Sequence, residues 1–243
     1  PSVQKRVTDP ELFYNSINSK SVIIFDEIHK IEDPSGLLKI GADEYSDVKI
    51  LATGSSTLSA TDKFRDSLTG RKIFIHLAPV LWDECVNDFN ITDFDHRLLN
   101  GGLPEALLSG IKAHSFFSEW IDSFYARDIQ ELFGIRNRNG FLKLFKLLLR
   151  QSGGMIDYTN LSKLCGLSRQ TVMAHIEAMQ IAHALYLLPP YHGGSKREIT
   201  HRPKCYALDT GFITYLKRRD AIREEDRGLL WEHLVLDTFR AVI

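Results

Sequence analysis

The sequence predicts an α/β domain built on a parallel sheet, followed by a mostly helical domain. Residues 22–25 form an apolar run that is too short for a helix and suits a strand buried on both faces of such a sheet, and residues 48–52 form a second apolar strand-like run. Residues 158–178 contain two helical patterns around a glycine, which is typical of a helix-turn-helix unit. Residues 1–140 carry 15 Lys and Arg against 21 Asp and Glu, whereas residues 141–205 carry 9 against 3.

This charge asymmetry predicts that the second part faces a polyanion such as DNA, although a solvated basic surface is an open alternative. The chain has 243 residues, 44% of them hydrophobic and 25% charged, which is enough to bury a core. These residues contain no apolar run of transmembrane length and no signal-peptide pattern. We therefore expect no membrane partner, and because the cysteines fit no metal spacing they favour a reduced, cytoplasmic protein.

The first apolar run ends in two carboxylates, Asp26 and Glu27. In an open α/β sheet, ligands bind outside the carboxyl ends of the strands. An aspartate there can hold the magnesium ion of a bound nucleotide, and the adjacent glutamate can orient an attacking water. The plainer alternative is a strand that meets a polar loop. The pattern predicts Asp26 as a nucleotide and magnesium ligand and Glu27 as a catalytic residue.

The second apolar run leads into small hydroxyl residues, including Thr53 and Ser55. Such side chains can stand between the two carboxylates and a phosphate, although a plain Gly-Ser turn would have the same sequence. A polar helix over residues 57–69 and a third strand over residues 73–77 are predicted next. Arg71 lies between them, where a guanidinium can stabilise the charge on a transferring phosphate, or can simply be solvated.

Two further segments complete an ordered set of motifs: Gly-Gly-Leu-Pro-Glu at residues 101–105 and Arg-Asp-Ile at residues 127–129. The chain resembles a prokaryotic AAA-type ATPase family in the order of its motifs. That order is strand-Asp-Glu, strand-Thr-Gly-Ser-Ser, Gly-Arg-strand and then these two segments. That family carries a C-terminal domain with a winged helix and a nuclease-like end. The resemblance covers nearly the whole chain. It implies an AAA-type P-loop NTPase core over residues 1–85, with the carboxylate pair in its Walker B segment, and a helical lid or linker over residues 86–140.

The resemblance also implies ATP and magnesium as cofactors, and Thr53 and Ser55 at the sensor-1 position. It makes Arg71 an arginine finger toward a neighbouring subunit of a homo-oligomer. One departure is that no Gly-x-x-x-x-Gly-Lys-[Ser/Thr] phosphate loop occurs in the 243 residues. Without that loop, tight ATP binding is not expected. We therefore expect a core truncated at its N-terminus, in a fragment of a longer ATPase, and no useful ATP hydrolysis by residues 1–243 alone.

Residues 141–210 are predicted to form a winged helix-turn-helix domain. Gly166 suits the left-handed end of one helix, and Ser168 suits the N-cap of the next. Two strand-like runs, residues 184–188 and 204–208, would form the hairpin of the wing. The second helix offers donors to a DNA groove, and the hairpin offers cations to phosphates, although many winged helices bind proteins instead. The predicted DNA contacts are Arg169, Gln170, Thr171, His175, Lys196, Arg197 and Arg202.

Residues 211–243 resemble the start of that family's nuclease-like α/β domain, with Glu232 as the matching early acidic residue. Asp209 is better explained as a turn residue or helix cap than as a metal ligand. The leading hypothesis is an ATP-binding AAA-type ATPase coupled to a winged-helix DNA-binding module. The alternatives are a non-enzymatic, protein-binding winged-helix scaffold and the ATPase arm of a nuclease-linked defence or toxin-type system.

Overall fold

The structure is a computed structural model that describes residues 2–54, 68–73, 75, 77–130, 133–191 and 202–242. The described chain is mixed α/β and mostly helical. It divides into an N-terminal unit, residues 1–75, and a C-terminal unit, residues 76–243. Each unit has its own cluster of buried hydrophobic side chains.

The described residues of the N-terminal unit form two strands and several short helices. In chain order they are α1 (Ser2–Val7), α2 (Pro10–Asn15), β1 (Val22–Phe25), a 3₁₀ turn (Ile28–Lys30), α3 (Pro34–Glu44) and β2 (Lys49–Ala52). The two Asp-Pro pairs start helices as the sequence predicts, because an aspartate caps the first turn and a proline fits its first position. Asp9 accepts the Leu12 N–H at 3.1 Å, and Asp33 accepts the Gly36 N–H at 3.0 Å.

Strands β1 and β2 pair in parallel, with Phe25 opposite Ala52, as the sequence predicts. The chain crosses between them through α3, and one face of the sheet is buried against this helix and α2. The buried Tyr14 hydroxyl donates to the Leu37 carbonyl at 3.0 Å, which ties α2 to α3. The N-terminal unit therefore has the small parallel sheet and crossover helix that an AAA-like start requires.

The prediction that β1 is buried on both faces is wrong. Val22 and Ile24 are 67% and 64% exposed, because side chains alternate along a strand and the described helices cover one side only. The predicted third strand is also not formed at its described positions: Ile73, Ile75 and Leu77 are exposed and lie in no strand. Residues 74 and 76 lie outside the described residues, as does most of the helix predicted over residues 57–69.

Where the structure describes it, the C-terminal unit is mostly helical, with one hairpin. Its elements are α4 (Trp82–Asn87), α5 (Phe94–Asn100), α6 (Pro104–Leu107), α7 (His114–Phe124) continued by a π-helical turn (Tyr125–Gln130), α8 (Arg138–Arg150), α9 (Tyr158–Cys165), α10 (Arg169–Ile181), β3 (Leu185–Leu188), β4 (Lys204–Ala207), α11 (Thr210–Leu216) and α12 (Glu224–Val242). One hydrophobic cluster runs from α5 to α12 and includes side chains on both sides of residues 140 and 210. The domain boundaries proposed at those residues stay predictions.

Helices α9 and α10 are joined by the turn that the sequence predicts. Gly166 adopts a left-handed conformation with φ 65°, which ends α9 without a steric penalty. Ser168 then caps α10, because its hydroxyl accepts the Thr171 N–H at 3.0 Å. Strands β3 and β4 follow as an antiparallel pair, and Met155 adds an antiparallel bridge to Lys204 on the other side of β4.

A buried polar cluster joins the Gly-Gly turn after α5 to the start of α11. The Asp209 carboxylate accepts N–H groups from Gly102 at 2.5 Å and Gly211 at 2.7 Å, so the prediction of Asp209 as a helix cap is confirmed. The fully buried Arg97 side chain lies 3.9 Å from this carboxylate and donates to the Val80 carbonyl at 3.0 Å. Gly101 has φ 81°, and a Cβ there would lie 1.7 Å from Asp209 Oδ1, so this turn requires glycine.

Candidate functional site

The predicted carboxylates lie at the carboxyl edge of the parallel sheet. Asp26 and Glu27 follow β1, and Thr53 follows β2. Because Phe25 and Ala52 are register partners, the residues after them emerge at the same edge. This is the edge at which open α/β sheets bind ligands.

Thr53 connects the two carboxylate residues through hydrogen bonds. Its hydroxyl donates to Asp26 Oδ1 at 2.6 Å and accepts the Glu27 N–H at 3.2 Å. Its backbone is also fixed, because its N–H donates to the Phe25 carbonyl at 2.8 Å and its carbonyl accepts the Ile28 N–H at 2.9 Å. The end of β2 therefore sets the position of both the Asp26 carboxylate and the Glu27 backbone.

Glu27 adopts a left-handed backbone conformation, with φ 54° and ψ 47°. Few non-glycine residues adopt it, and such strain is concentrated at functional sites. The Glu27 carboxylate is half-exposed and lies 3.2 Å from His29 Nε2 and 3.9 Å from Lys30 Nζ. Neither neighbour was predicted from the sequence, although their spacing of two and three residues from Glu27 in a tight turn was a usable signal.

The edge fits a magnesium-bound nucleotide in its donor chemistry. Magnesium bound with a nucleotide is held by one or two carboxylates, substrate phosphates and waters. The Asp26 carboxylate is exposed, and among the described residues only its Oδ1 accepts a hydrogen bond. Within the part of the chain that the structure describes, the other Asp26 oxygen is available to a metal, while Thr53 fixes the orientation of the carboxylate.

Arg71 binds Asp43 rather than the carboxylate edge. Its Nε lies 2.5 Å from Asp43 Oδ1, at the end of α3, and this carboxylate raises the pKa of the guanidinium. No contact among the described residues joins Arg71 to Asp26, Glu27 or Thr53. The predicted sensor residue Ser55 lies outside the described residues.

The start of α10 exposes some of the predicted DNA-binding residues. Arg169 and Gln170 are exposed, and Thr171 is partly buried with its hydroxyl 2.7 Å from that of Ser168. His175 is only 5% exposed and packs against the Phe141 ring, with 5.4 Å between ring centroids.

The prediction that His175 faces a DNA groove is therefore corrected. Six residues beyond Arg169, the surface of α10 faces α8, and burial lowers the pKa of the imidazole. A neutral, buried imidazole is a core residue rather than a phosphate contact.

Of the remaining predicted DNA contacts, one forms an ion pair and two lie outside the described residues. Arg202 is exposed but binds Asp157, with Nη1 and Oδ2 2.7 Å apart. Lys196 and Arg197 lie outside the described residues. Glu232, the predicted nuclease-type acid, accepts from Lys204 at 2.7 Å and from the Tyr206 hydroxyl. Hydrogen bonds from Lys204 and Tyr206 lower the pKa of Glu232, so this carboxylate is part of a surface network on β4.

Two family models match the chain. Residues 2–86 match the model described as AAA domain, so the start of the chain is an AAA-type domain. Residues 91–223, more than half of the chain, match the model described as Domain of unknown function (DUF8612). The chain belongs to the DUF8612 family. The AAA match contains Asp26, Glu27 and Thr53, and the DUF8612 match contains all of α8, α9 and α10.

Relatives of this DUF8612 protein occur in bacteria and archaea. Uncharacterized protein Mb2031c of Mycobacterium bovis and Uncharacterized protein Rv2008c of Mycobacterium tuberculosis are each 24% identical over 246 residues, covering 98% of this chain and 54% of their own length. Uncharacterized protein MJ1544 of Methanocaldococcus jannaschii is 24% identical over 217 residues, covering 80% of this chain and 48% of its own. The chain thus spans about half the length of these relatives. Within the described residues, no helix combines the length and apolar character that a membrane crossing needs.

Proposed function

We propose that the N-terminal unit belongs to the ATP- and magnesium-binding core of an ATPase, with its reaction centre at the carboxylate edge. The observation that carries this proposal is the Thr53 hydroxyl, which binds Asp26 and the Glu27 backbone across two parallel strands. Thr53 thereby fixes the Asp26 carboxylate and the Glu27 backbone at the edge where open α/β sheets bind ligands. The AAA family match to these residues supports the same conclusion.

Each residue then has a role set by its position. Asp26 would hold the magnesium ion of a bound nucleotide, and the ion would supply charge neutralisation at the phosphates. Glu27 orients the attacking water and accepts its proton. Thr53, with Ser55, aligns the carboxylates with the terminal phosphate. Arg71 acts on the nucleotide of a neighbouring subunit in a homo-oligomer, which requires it to exchange Asp43 for phosphate.

Thr53 offers a direct test of the proposal. In the full-length protein that the gene encodes, Thr53→Val keeps the side-chain shape but removes the hydroxyl, so ATP turnover should fall by about 10- to 100-fold. Thr53→Ser keeps the hydroxyl and should retain most of the rate. This comparison separates the effect of orienting Asp26 from an effect of side-chain packing. Steady-state phosphate release measures both variants. Equal rates for wild type and Thr53→Val would contradict the proposed site.

We further propose that helices α8, α9 and α10 with the β3–β4 hairpin form a winged-helix module that binds DNA. The order of helix, bridging residue Met155, two capped helices and an antiparallel hairpin supports this proposal, because a winged helix would have its elements in the same order. The exposed Arg169 and Gln170 at the start of α10 would face the groove, and Arg202, Lys196 and Arg197 would touch phosphates. ATP-driven changes in the first unit would then regulate DNA binding.

Arg169 tests the DNA-binding proposal. Arg169→Gln should weaken binding of the full-length protein to duplex DNA by about 5- to 100-fold, because a groove contact and a charge are lost together. Arg127→Gln, at another exposed arginine of the C-terminal unit, should leave the affinity unchanged. Fluorescence anisotropy over a salt series measures both. Affinity that hardly changes with salt would favour the protein-binding alternative, in which apolar contacts dominate.

A further inference from the structure

Helix α8 carries three exposed cations along one face. Lys143, Lys146 and Arg150, here called the basic stripe, lie within about 60° of one another around the helix and span about 10.5 Å of its axis. The opposite face is fully buried through Phe141, Leu144 and other apolar side chains. The stripe is therefore fixed in direction by the core beneath it.

The stripe has no acidic counterpart on its own helix. Residues 138–150 contain four Lys and Arg and no Asp or Glu. Exposed helix faces usually mix both signs, because pairs spaced by four residues stabilise the helix. Among the described residues, Lys143, Lys146 and Arg150 form no ion pair. The helix dipole accounts for Arg150 in the last turn, but not for two lysines in the middle of the helix.

At its C-terminal end, the stripe meets a cavity with further cations. The cavity has a volume of about 420 Å³ and is lined by Leu147, Arg150, Gln151, Lys217 and Arg219. The buried Asp226 carboxylate holds two of these cations in place. It accepts from Lys217 Nζ at 2.9 Å and from Arg219 Nε at 2.6 Å.

Asp226 neutralises only part of this charge and leaves the cavity basic. Lys217 and Arg219 keep donors beyond those that bind Asp226, since an ammonium has three N–H groups and a guanidinium has five. A second carboxylate, Glu225, takes one more Arg219 donor at 2.6 Å and is itself largely exposed. Immobilised cations around an open cavity lose little entropy when an anion binds.

At its other end, the stripe adjoins the turn that leads into α10. Burial raises the pKa of the Cys165 thiol at the end of α9, and the Lys143 ammonium is near enough to oppose that rise. The Leu167 side chain lies against Gly140 at the start of α8, where a Cβ would approach it to 2.7 Å. The stripe thus begins beside the segment that positions Arg169 and ends at the basic cavity.

We propose that the basic stripe and the cavity at its end bind the phosphodiester backbone of a nucleic acid, as a second contact surface beyond the start of α10. Each strand of a duplex carries one phosphate per about 3.4 Å, so the stripe spans about three phosphates. The cavity then takes a further phosphate between Arg150 and Arg219. This inference rests on the proposed DNA binding and adds a surface that fixes the position of the protein without reading sequence.

The test is the triple variant Lys143→Gln, Lys146→Gln, Arg150→Gln in the full-length protein. With a fluorescent 20-base-pair duplex of random sequence as the probe, affinity should fall about tenfold or more at low salt. The slope of log affinity against log salt should become shallower by about two to three. The matched control is the triple variant Lys20→Gln, Lys39→Gln, Lys49→Gln, which removes the same net charge at exposed lysines of the N-terminal unit. It should change the DNA affinity and the salt slope less than the stripe variant does.

The possible outcomes separate this inference from the proposed function. One outcome overturns the inference alone. Wild type and the control bind DNA, and Arg169→Gln weakens that binding, but the stripe variant keeps both the affinity and the salt slope. The stripe is then not a phosphate-binding surface. If the stripe variant keeps DNA binding but loses a poly-glutamate probe, the surface binds acidic protein instead and the inference is overturned. If wild type does not bind DNA, the proposed DNA-binding function and this inference both fail. Unchanged circular dichroism of the variant excludes misfolding as the cause of any loss.

Discussion

Replacing Glu27 with glutamine should lower ATP turnover by the full-length protein about 10²- to 10⁴-fold while ATP binding persists. Glutamine has nearly the same shape but cannot accept a proton, and proton acceptance by a positioned base contributes a factor of this size. The backbone at this position is already held by Thr53, and the amide keeps the hydrogen-bonding capacity of the side chain. The expected loss is therefore in kcat and not in affinity.

The matched control for this experiment is Glu32→Gln. Glu32 is exposed, lies five residues further along the same segment and undergoes the same chemical change. Its rate should equal that of wild type. Phosphate release measured at saturating ATP, with bound nucleotide measured separately, distinguishes the two variants. Comparable turnover by Glu27→Gln and wild type would mean that another group acts on the water.

The second large effect concerns the buried cluster of the C-terminal unit. Asp209→Ala should lower the free energy of unfolding by about 3–5 kcal/mol, because it leaves the Arg97 guanidinium buried without its carboxylate. It also removes acceptors from the Gly102 and Gly211 N–H groups. The loss combines a broken charge pair with two unsatisfied backbone donors.

Urea unfolding followed by tryptophan fluorescence measures this loss selectively. All three tryptophans, Trp82, Trp120 and Trp231, lie in the C-terminal unit, so their emission reports that unit alone. Asp220→Ala is the control, since the Asp220 side chain is 85% exposed and pairs only with His114 among the described residues. It should change stability by less than about 0.5 kcal/mol. A similarly small change for Asp209→Ala would show that the buried pair is not needed for stability.

Local rules predicted the features that depend on a few neighbouring residues. The aspartate caps at residues 9 and 33, the left-handed Gly166 and the Ser168 cap each follow from chemistry within one turn of chain. The edge of the sheet was also predictable, because two apolar runs ending in polar residues imply parallel strands whose ends meet.

Contacts between distant segments were not predictable from pattern alone. Arg97 and Asp209 are separated by 112 positions, and neither lies in a periodic pattern that marks its burial. His175 illustrates the same limit within a helix. Its spacing of four residues from Thr171 suggested a shared exposed face, but the packing of α10 on Phe141 decides which residues are buried. Likewise, the exposure of Val22 and Ile24 depends on which helices cover the sheet. The composition of a strand does not indicate what packs against it.

The binding of ATP to the Glu27→Gln variant, with magnesium and after its removal by EDTA, tests the central claim most directly. In the full-length protein this variant should hold ATP without consuming it, so affinity can be measured by calorimetry. We expect magnesium to strengthen ATP binding at least about tenfold, and a further Asp26→Asn change to remove that gain, since a neutral amide is a poor magnesium ligand. Magnesium-dependent ATP binding that is unaltered by Asp26→Asn would contradict the assignment of this strand edge as the nucleotide site.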